Sequence, residues 1–428
     1  MLPRAAVLAL ALVWAAPAGG ADRLTPEQQR LNIESFEHVW TTVRDKHWDP
    51  KLGGLDWQAV HDELRPRLER AVTMEQARAV MEDMLSRLKQ THFEIVPAEI
   101  YEEMDGDGKG EGRTGIEVRV VEGRALVVST EADSPAARSG VKPGWEIESV
   151  DGKPLAAGLR KIDRSFRGST LHDLMLEGAV SARLAGEEGS RVKVGFRDAQ
   201  GRNTPIEMER TRPRGAEFSF GNLPPLYFWV ESRKPRPDVG YVRFNLFFAP
   251  ETLNKALEDA IRDCVACRGF VVDLRGNPGG IGGLALGVAG RFVDQPGLRL
   301  GDLFLRSTKF KFVVFPQPTV FRGPLAILVD GCSASTSEIL AGGLQDLKRA
   351  RVFGMRSAGA ALPSMFERLP NGDGFQYAIA NYISEGGKQL EGTGVIPDEI
   401  AGPSRRELLE GRDPALDRAL AWIESGRN

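Results

Sequence analysis

The second half of the chain alternates short apolar strands with helices, and this alternation constrains the fold more than any other feature. Between residues 215 and 403 we predict strands at 240–244, 269–274 and 325–329, and helices at 251–262, 282–292 and 335–347. Strands that alternate with helices form a largely parallel sheet, whose functional residues follow the carboxyl ends of the strands. Residues 215–403 are therefore predicted to form an α/β core with its site at one sheet edge.

The first half of the chain shows other periodicities, which predict two further domains. Residues 22–104 carry apolar residues at helical spacing, behind a Thr25-Pro26 helix start. From Thr114 onward, short alternating runs and glycine-containing turns predict a small β domain over residues 109–210. The tail at 404–428 contains one short amphipathic helix. The pattern predicts a multi-domain α/β protein with an N-terminal helical domain and an inserted β domain.

The first 21 residues have the pattern of a secretory signal peptide. Arg4 precedes an apolar run at 5–16, and small residues follow up to Ala21. The run is shorter than the roughly 20 apolar residues that a bilayer span requires, so no stable membrane span is expected. An uncleaved anchor is the alternative interpretation. We expect an exported bacterial protein, periplasmic or secreted.

Composition excludes several classes of function. A formal net charge of −3 gives no electrostatic reason to expect nucleic acid as a partner. Five histidines and three cysteines are too few for a dense Cys/His metal framework. The sequence implies no metal or organic cofactor. Cys264 and Cys267 end a helical segment instead of beginning one, which favours buried thiols or a local disulfide over a redox-active pair.

Two loops at the ends of the apolar strands have the composition of a catalytic site. The first, VVDLRGNPGG, runs from Val271 to Gly280, and its glycines allow backbone N–H groups to face a ligand or an oxyanion. The second, LVDGCSASTSEILAGGLQD, runs from Leu328 to Asp346 and places Ser335 at a helix N-terminus. Taken singly, the glycines also fit an ordinary turn, and the serines fit helix caps.

Together the two loops resemble those of the tail-specific, or carboxyl-terminal-processing, serine proteases. That family carries an Asp-Leu-Arg-x-Asn-x-Gly-Gly loop and a Ser-Ala-Ser-x-Ser-Glu-Ile turn, and the likeness covers essentially all of the chain after the signal peptide. It implies a ClpP/crotonase-like β/α core with Ser335 as nucleophile. It also implies an oxyanion hole formed by the N–H group of Thr336 and a glycine of Gly279-Gly280. A thiol enzyme based on Cys332 is disfavoured, because no base is matched to that residue.

The inserted β domain resembles a bacterial PDZ domain. The resemblance rests on the Thr114-Gly115-Ile116-Glu117 segment and on the run from Ser134 through the Lys142-Pro143-Gly144-Trp145 turn. PDZ domains add an extended peptide to a sheet edge and hold its terminal carboxylate with backbone N–H groups. By this likeness the cradle is Gly115, Ile116 and Glu117, although a spacer without ligand remains an alternative.

One position departs from the serine–lysine members of the family. They carry their lysine 25 residues after the serine, where this chain has Ala360. The sequence is similar instead to the branch typified by the tricorn protease core, which uses serine, histidine and glutamate. In that likeness His92 is the base, and its orienting or polarising partners are Thr91 and Glu391, which lies three residues before the glycine of Gly394-Val395. A structural histidine and a solvated turn glutamate are the alternatives. Histidine suits the task, because its unperturbed pKa of about 6.5 leaves it mostly neutral near pH 7.

These features predict an exported serine endopeptidase that cleaves unstructured or C-terminal peptide segments through an acyl-enzyme on Ser335. Peptides or unfolded proteins, captured through free C-termini, are the expected partners. The alternative is an inactive, peptide-binding pseudoprotease or PDZ scaffold of the cell envelope, because Ala360 cannot accept a proton. The sequence makes no prediction about oligomeric state.

Overall fold

A computed structural model describes residues 23–98, 111–219 and 226–426 of the chain. The predicted signal peptide at 1–21 and most of the glycine-rich segment after residue 104 lie outside the described residues. The fold is mixed α/β, as predicted, with a helical unit, an antiparallel β unit and a larger α/β core.

The N-terminal unit consists of three helices and a short strand. The elements are α1 (Pro26–Lys46), α2 (Trp57–Glu69), α3 (Met74–Ser86) and β1 (Glu94–Val96), with a 3₁₀ turn at Leu52–Gly54. Threonine caps begin α1 and α3, since the hydroxyls of Thr25 and Thr73 accept hydrogen bonds from the backbone three residues on. Apolar residues at helical spacing meet in a buried cluster that includes Phe36, Leu64 and Met81.

The helical pattern ends earlier than the sequence analysis expects. Helical character is predicted over residues 25–103, but the chain leaves the helix after α3 and forms β1 instead. This strand pairs antiparallel with a strand of the core, with Ile95 opposite Phe375. Long-range pairing therefore overrides the local pattern and ties the N-terminal unit to the core.

The inserted unit is an antiparallel sheet covered by helices. Its elements are β2 (Glu111–Gly112), β3 (Ile116–Val121), β4 (Arg124–Thr130), α4 (Pro135–Arg138), β5 (Glu146–Val150), β6 (Lys153–Pro154), α5 (Ala156–Phe166), α6 (His172–Leu184), β7 (Gly186–Glu187), β8 (Arg191–Arg197) and β9 (Asn203–Glu209). The strand order is β3-β4-β5-β8-β9, with β6 beside β5. Val127, Val194 and Phe196 are fully buried between this sheet and α5 and α6.

The core contains the parallel sheet that the alternating pattern predicts. Its elements are β10 (Ala216–Phe218), β11 (Leu226–Phe228), β12 (Val230–Arg236), β13 (Val239–Phe244), α7 (Pro250–Arg262), β14 (Gly269–Asp273), α8 (Gly283–Ala289), β15 (Arg299–Leu305), β16 (Lys309–Val313), β17 (Leu325–Val329), α9 (Thr336–Asp346), β18 (Ala350–Gly354), β19 (Ser364–Arg368), β20 (Gly374–Ala378), β21 (Ala380–Ser384), β22 (Glu399–Ile400), α10 (Arg405–Leu409) and α11 (Pro414–Ser425). The main sheet has the order β12-β13-β14-β17-β18-β22 and is parallel from β13 to β22.

Helices cover the central sheet on both faces, which explains why β14 and β17 are apolar throughout. Alternate residues such as Val272 and Ile327 pack with the helices α7, α8 and α9. The intervening residues Val271 and Leu328 pack on the other face with α11. Both strands are buried at every position.

The described core also contains two three-stranded sheets, besides the two-stranded pairing of β10 with β11. The first has the order β16-β15-β21, and the second, β1-β20-β19, joins the N-terminal unit to the loop that follows β18.

Buried ion pairs fix the inserted unit to the core. Glu117 accepts a hydrogen bond from Arg243 at 2.6 Å, and the Arg119 Nε donates to Asp330 at 2.7 Å. Next to these contacts, a cleft of about 690 Å³ separates β3, α5 and α6 from the core surface around Val329 and Met355.

The described residues also bear on the cysteine and membrane expectations. Cys264 and Cys267 form a disulfide, one of the two states that the sequence analysis left open. Within the described ranges, no helix is both long and apolar enough to cross a bilayer. In the same ranges, no group of three or more His, Cys, Asp or Glu side chains is arranged to hold a metal ion.

Candidate active site

Ser335 stands where β17 ends and α9 begins, in a strained backbone conformation. Its φ of 54° and ψ of −117° lie outside the helical region, and a positive φ is uncommon for a residue other than glycine. The hydroxyls of the neighbouring serines serve the fold. The Ser333 hydroxyl donates to the Leu274 carbonyl at 2.8 Å, and the Ser337 hydroxyl donates to the Asn277 carbonyl at 2.9 Å. The helix-cap position that the sequence also suggested for these serines is occupied by Ser335, which is the N-cap of α9, donates its N–H to Glu338 and remains half-buried.

The glycine loop lies directly against this serine. A Cβ added to Gly279 would come within 2.7 Å of the Ser335 Cβ, and the φ of 103° at Gly279 also requires glycine. The Gly279 N–H already donates to the Asn277 Oδ1 at 2.9 Å. Among the described residues, no hydrogen bond takes up the N–H groups of Gly280 and Thr336. Of the two glycines considered from sequence, Gly280 is therefore the one whose N–H is available to an oxyanion.

Thr91, His92 and Glu391 lie together, as the resemblance implies. The Thr91 hydroxyl donates to the Glu391 Oε2 at 2.9 Å and lies 2.7 Å from the His92 Nδ1. A hydroxyl has a single proton to donate. Because the Thr91 hydroxyl donates it to the Glu391 carboxylate, the Thr91 oxygen accepts a hydrogen bond from the His92 Nδ1–H. This arrangement fixes the tautomer in which Nε2 has a free lone pair, the form that a general base requires.

Burial controls the protonation of this group. Thr91 and His92 are only 6% and 8% exposed, and desolvation lowers the pKa of His92 to about 4. Desolvation raises the pKa of Glu391, against the effect of three hydrogen bonds from Thr91 and Ala361. His92 is thus neutral across the physiological range and able to accept a proton.

A chain of hydrogen bonds connects the histidine with the serine turn. Glu391 Oε2 accepts from the Ala361 N–H at 3.0 Å, and the carbonyl of the preceding Ala360 accepts from the Ser335 N–H at 2.7 Å. No direct hydrogen bond joins His92 to Ser335 within the described part of the chain. Catalytic contacts are often long in a ligand-free enzyme and shorten when substrate binds.

Glu338 is a member of the site that the sequence analysis missed. Its carboxylate is fully buried and accepts four hydrogen bonds, from the N–H groups of Ser335, Gly359 and Ala360 and from the Ser357 hydroxyl, at 2.6–3.0 Å. Desolvation raises the pKa of Glu338 to about 7, in opposition to these bonds. Glu338 therefore clamps the 357–361 loop onto the serine turn. A glutamate three residues after a serine is typical of a helix start, and that local signal does not reveal the clamp.

The remaining candidate residues lie in the inserted unit and beside the serine turn. Gly115 and Ile116 begin the β3 region, and the φ of 76° at Gly115 favours glycine. The Glu117 side chain faces the core, where Arg243 holds its pKa well below the usual range against the effect of burial. The Cys332 thiol donates to the buried Glu177 at 2.8 Å, and desolvation raises its pKa well above the usual range. A thiol of raised pKa is a poor nucleophile at neutral pH.

Comparison with known proteins identifies the core and the N-terminal unit. Residues 238–401 match peptidase family S41, and residues 32–86 match the tricorn protease C1 domain. The first match contains Ser335, Gly279, Gly280, Glu338 and Glu391.

The chain is similar along most of its length to processing proteases. The carboxyl-terminal-processing protease of Synechocystis is 25% identical over 408 residues, which cover 94% of this chain and 88% of the relative. The carboxy-terminal-processing protease of Bartonella bacilliformis is 28% identical over 338 residues, which cover 76% and 69% of the two chains. The solved photosystem II D1 C-terminal processing protease shares the fold with a TM-score of 0.57 at 22% identity, over 92% of this chain and 99% of that one. The chain therefore carries a peptidase family S41 domain behind a tricorn protease C1 domain, and it is related along most of its length to carboxyl-terminal-processing proteases.

Proposed function

We propose that this protein is an exported serine endopeptidase that cleaves unstructured or C-terminal peptide segments. The observation that carries the proposal is the arrangement of Glu391, Thr91 and His92, because it leaves the His92 Nε2 unprotonated. The match of the core to peptidase family S41 and the similarity to processing proteases support a serine-type hydrolase. Export is supported by the apolar N-terminal sequence pattern alone.

In the proposed reaction, the Ser335 hydroxyl attacks the carbonyl carbon of the scissile peptide bond and His92 accepts its proton. The N–H groups of Gly280 and Thr336 stabilise the negative charge that develops on the carbonyl oxygen. His92 then protonates the leaving amine, and the acyl group remains on Ser335. Water activated by His92 hydrolyses this ester and regenerates the hydroxyl.

The inserted unit is proposed to capture the peptide. Its likeness to a PDZ domain and the cleft of about 690 Å³ between it and the core support binding of an extended chain there. Free C-terminal carboxylates should bind better than amidated ones, since Gly115 and Ile116 would offer backbone donors. Titration of full-length Ser335→Ala with matched acid and amide peptides tests this, and equal affinities would contradict it.

The decisive test of catalysis is labelling with a serine-directed phosphonate. Wild type should acquire the label on Ser335, identified by peptide mass spectrometry, and should cleave an unfolded protein. Ser335→Ala should do neither while keeping the wild-type circular dichroism spectrum. A wild-type protein that is neither labelled nor active on any unfolded substrate would contradict the protease proposal.

Such a result would favour a second function, that of a peptide-binding pseudoprotease or envelope scaffold. The observations that favour it are Ala360 at the lysine position and the lack of a direct His92–Ser335 bond among the described residues. Peptide binding without turnover is its distinguishing outcome.

A further inference from the structure

A hairpin with one aromatic face adjoins the segment that follows the proposed oxyanion loop, and it has no role in the reaction described above. Strands β15 and β16 pair antiparallel, and β21 pairs with the far side of β15. Strand β16 is consequently the edge of this three-stranded sheet, and no described strand pairs with its outer side. Such an edge offers backbone groups to an extended chain.

The side chains of β16 divide between two faces. Phe310 and Phe312 are two residues apart and so share one face, whereas Lys309 and Lys311 lie on the other. Lys309 is paired there with Asp302 at 2.7 Å. Phe312 packs partly against the main core, and Phe310 stays 57% exposed. A half-exposed aromatic face beside a candidate active site is a typical recognition surface.

Two glycines, Gly282 and Gly283, form the floor of the space beside this aromatic face, so no side chain fills it from that side. A Cβ at Gly283 would meet nothing within 4 Å, and one at Gly282 would meet only the Phe312 ring edge, at 3.7 Å. Gly282 follows Gly280 by two residues, and two residues of chain span at most about 7 Å. The open space therefore begins within one or two peptide residues of the proposed oxyanion donor.

We propose that Phe310 and Phe312 bind an apolar side chain of the substrate peptide, one to three residues from the scissile bond. The proposal rests on the proposed protease function, and the occupant follows from the continuity of the aromatic face with Gly280. A leucine or phenylalanine side chain would lie on the glycine floor against the Phe312 ring. A serine or an aspartate at the same peptide position would leave the aromatic face exposed to water.

The test compares matched flexible peptides that carry leucine or serine at single positions on either side of the cleaved bond. Wild type should prefer leucine at one position by about tenfold or more in kcat/KM, as expected for a pocket that reads one apolar side chain. In Phe312→Ala this preference should fall about tenfold, and Phe312→Leu should restore part of it. Phe310→Ala should have a smaller effect in the same direction.

Phe315→Ala is the matched control. Phe315 is 66% exposed on the same segment, but its carbonyl contacts Gly290 at the other end of α8. That helix, Gly283–Ala289, is about 10 Å long at about 1.5 Å per residue. The control should keep the wild-type preference. A preference that persists in Phe312→Ala, or a loss equal on both peptides, would overturn the proposal.

A binding measurement separates this proposal from the protease proposal itself. In Ser335→Ala, the leucine peptide should bind more tightly than the serine peptide by calorimetry, and Ser335→Ala/Phe312→Ala should lose that difference. If wild type is not labelled by phosphonate but the difference is observed, the protease proposal fails and the apolar site stands. If labelling succeeds and no difference is found in binding or turnover, the apolar site fails alone.

Discussion

Two loops lie near Ser335, and they contribute different chemical groups to the site, one mainly backbone groups and the other side chains. The 357–361 loop, which contains the lysine position of related proteases, acts mainly through its backbone. The Ala360 carbonyl accepts a hydrogen bond from the Ser335 N–H, and the N–H groups of Gly359 and Ala360 donate to Glu338, beside the Ser357 hydroxyl. The segment at Thr91 and His92 contributes side chains. The first loop thus contacts the serine turn although position 360 carries no basic side chain. The difference teaches that a missing lysine does not by itself remove the frame around the serine.

The largest expected effect comes from His92, in the loop that contributes side chains to the site. His92→Ala should reduce kcat/KM on a flexible peptide by about 10²–10⁴, the usual contribution of a general base. Phosphonate labelling of Ser335 should slow in parallel, because it depends on the same proton transfer. His61→Ala is a suitable control, since His61 lies in the N-terminal unit between Glu37 and Asp62. Equal cleavage by wild type and His92→Ala would exclude the histidine mechanism.

The next largest effect on activity should come from Glu338, whose carboxylate clamps the 357–361 loop onto the serine turn. Glu338→Gln replaces a carboxylate oxygen with an NH₂ group, which cannot accept two of the four hydrogen bonds at this buried site. Each unsatisfied buried donor costs about 1–3 kcal/mol, so both stability and activity should fall, with the rate lower by about 10–10². Thermal unfolding and kcat/KM measured together test this. Glu407→Gln, at the cap of α10, is the control.

The pH profile of kcat/KM should show whether His92 or another group acts as the base. His92 acts in its neutral form, and burial lowers its pKa to about 4, so that form is present above this pH and is lost as pH falls through it. The value of kcat/KM should therefore hold down to about pH 5 and fall about tenfold per unit below the pKa. A lysine base would instead give activity that still rises above pH 8. A fall centred near pH 7 would point to Glu338, whose pKa burial raises to about 7, and would vanish in Glu338→Gln.

A smaller effect is expected from the residues that orient the ring. Thr91→Val removes the hydroxyl that accepts from the His92 Nδ1–H and frees the other tautomer, so the rate should fall about tenfold. Thr91→Ser should keep most of the rate, because it retains the hydroxyl. NMR of the imidazole nitrogens in Ser335→Ala should show His92 protonated at Nδ1. Adding Thr91→Val should lower the population of that tautomer. A protonated Nε2 in the parent protein would contradict the proposed orientation.

Local sequence patterns predict the elements of the core better than their long-range contacts. The apolar runs of β14 and β17 and the threonine caps of α1 and α3 are local signals, and the structure contains each element. The pairing of β1 with β20 is not local, yet it carries His92 toward the serine turn. Propensity over three residues cannot reveal a partner about 280 positions away.

The site shows the same division between local and long-range information. The family-like motifs placed Ser335, Gly280 and the Thr91-His92-Glu391 group, which the structure brings into adjoining positions. Asn277 and Glu338 lie inside those motifs, but their contacts depend on loops that meet only in the folded chain. Sequence reasoning therefore left open which glycine N–H is available, and the Asn277 side chain decides it in favour of Gly280.

The smallest effect on kcat/KM is expected from a change at position 360, where related proteases carry their lysine. Ala360 is fully buried in a small cluster with Ala334 and Ala358, against which Leu171 and Leu174 pack. Ala360→Lys would place a long side chain among these apolar groups without an acidic partner in the cluster. In a His92→Ala background it should restore less than about threefold of kcat/KM, because a long side chain does not fit among these packed alanines and leucines without displacing them. Ala360→Met in the same background controls for size. A rescue above tenfold by lysine alone, with activity rising above pH 8, would show that position 360 can still hold the base and that the two loops are interchangeable.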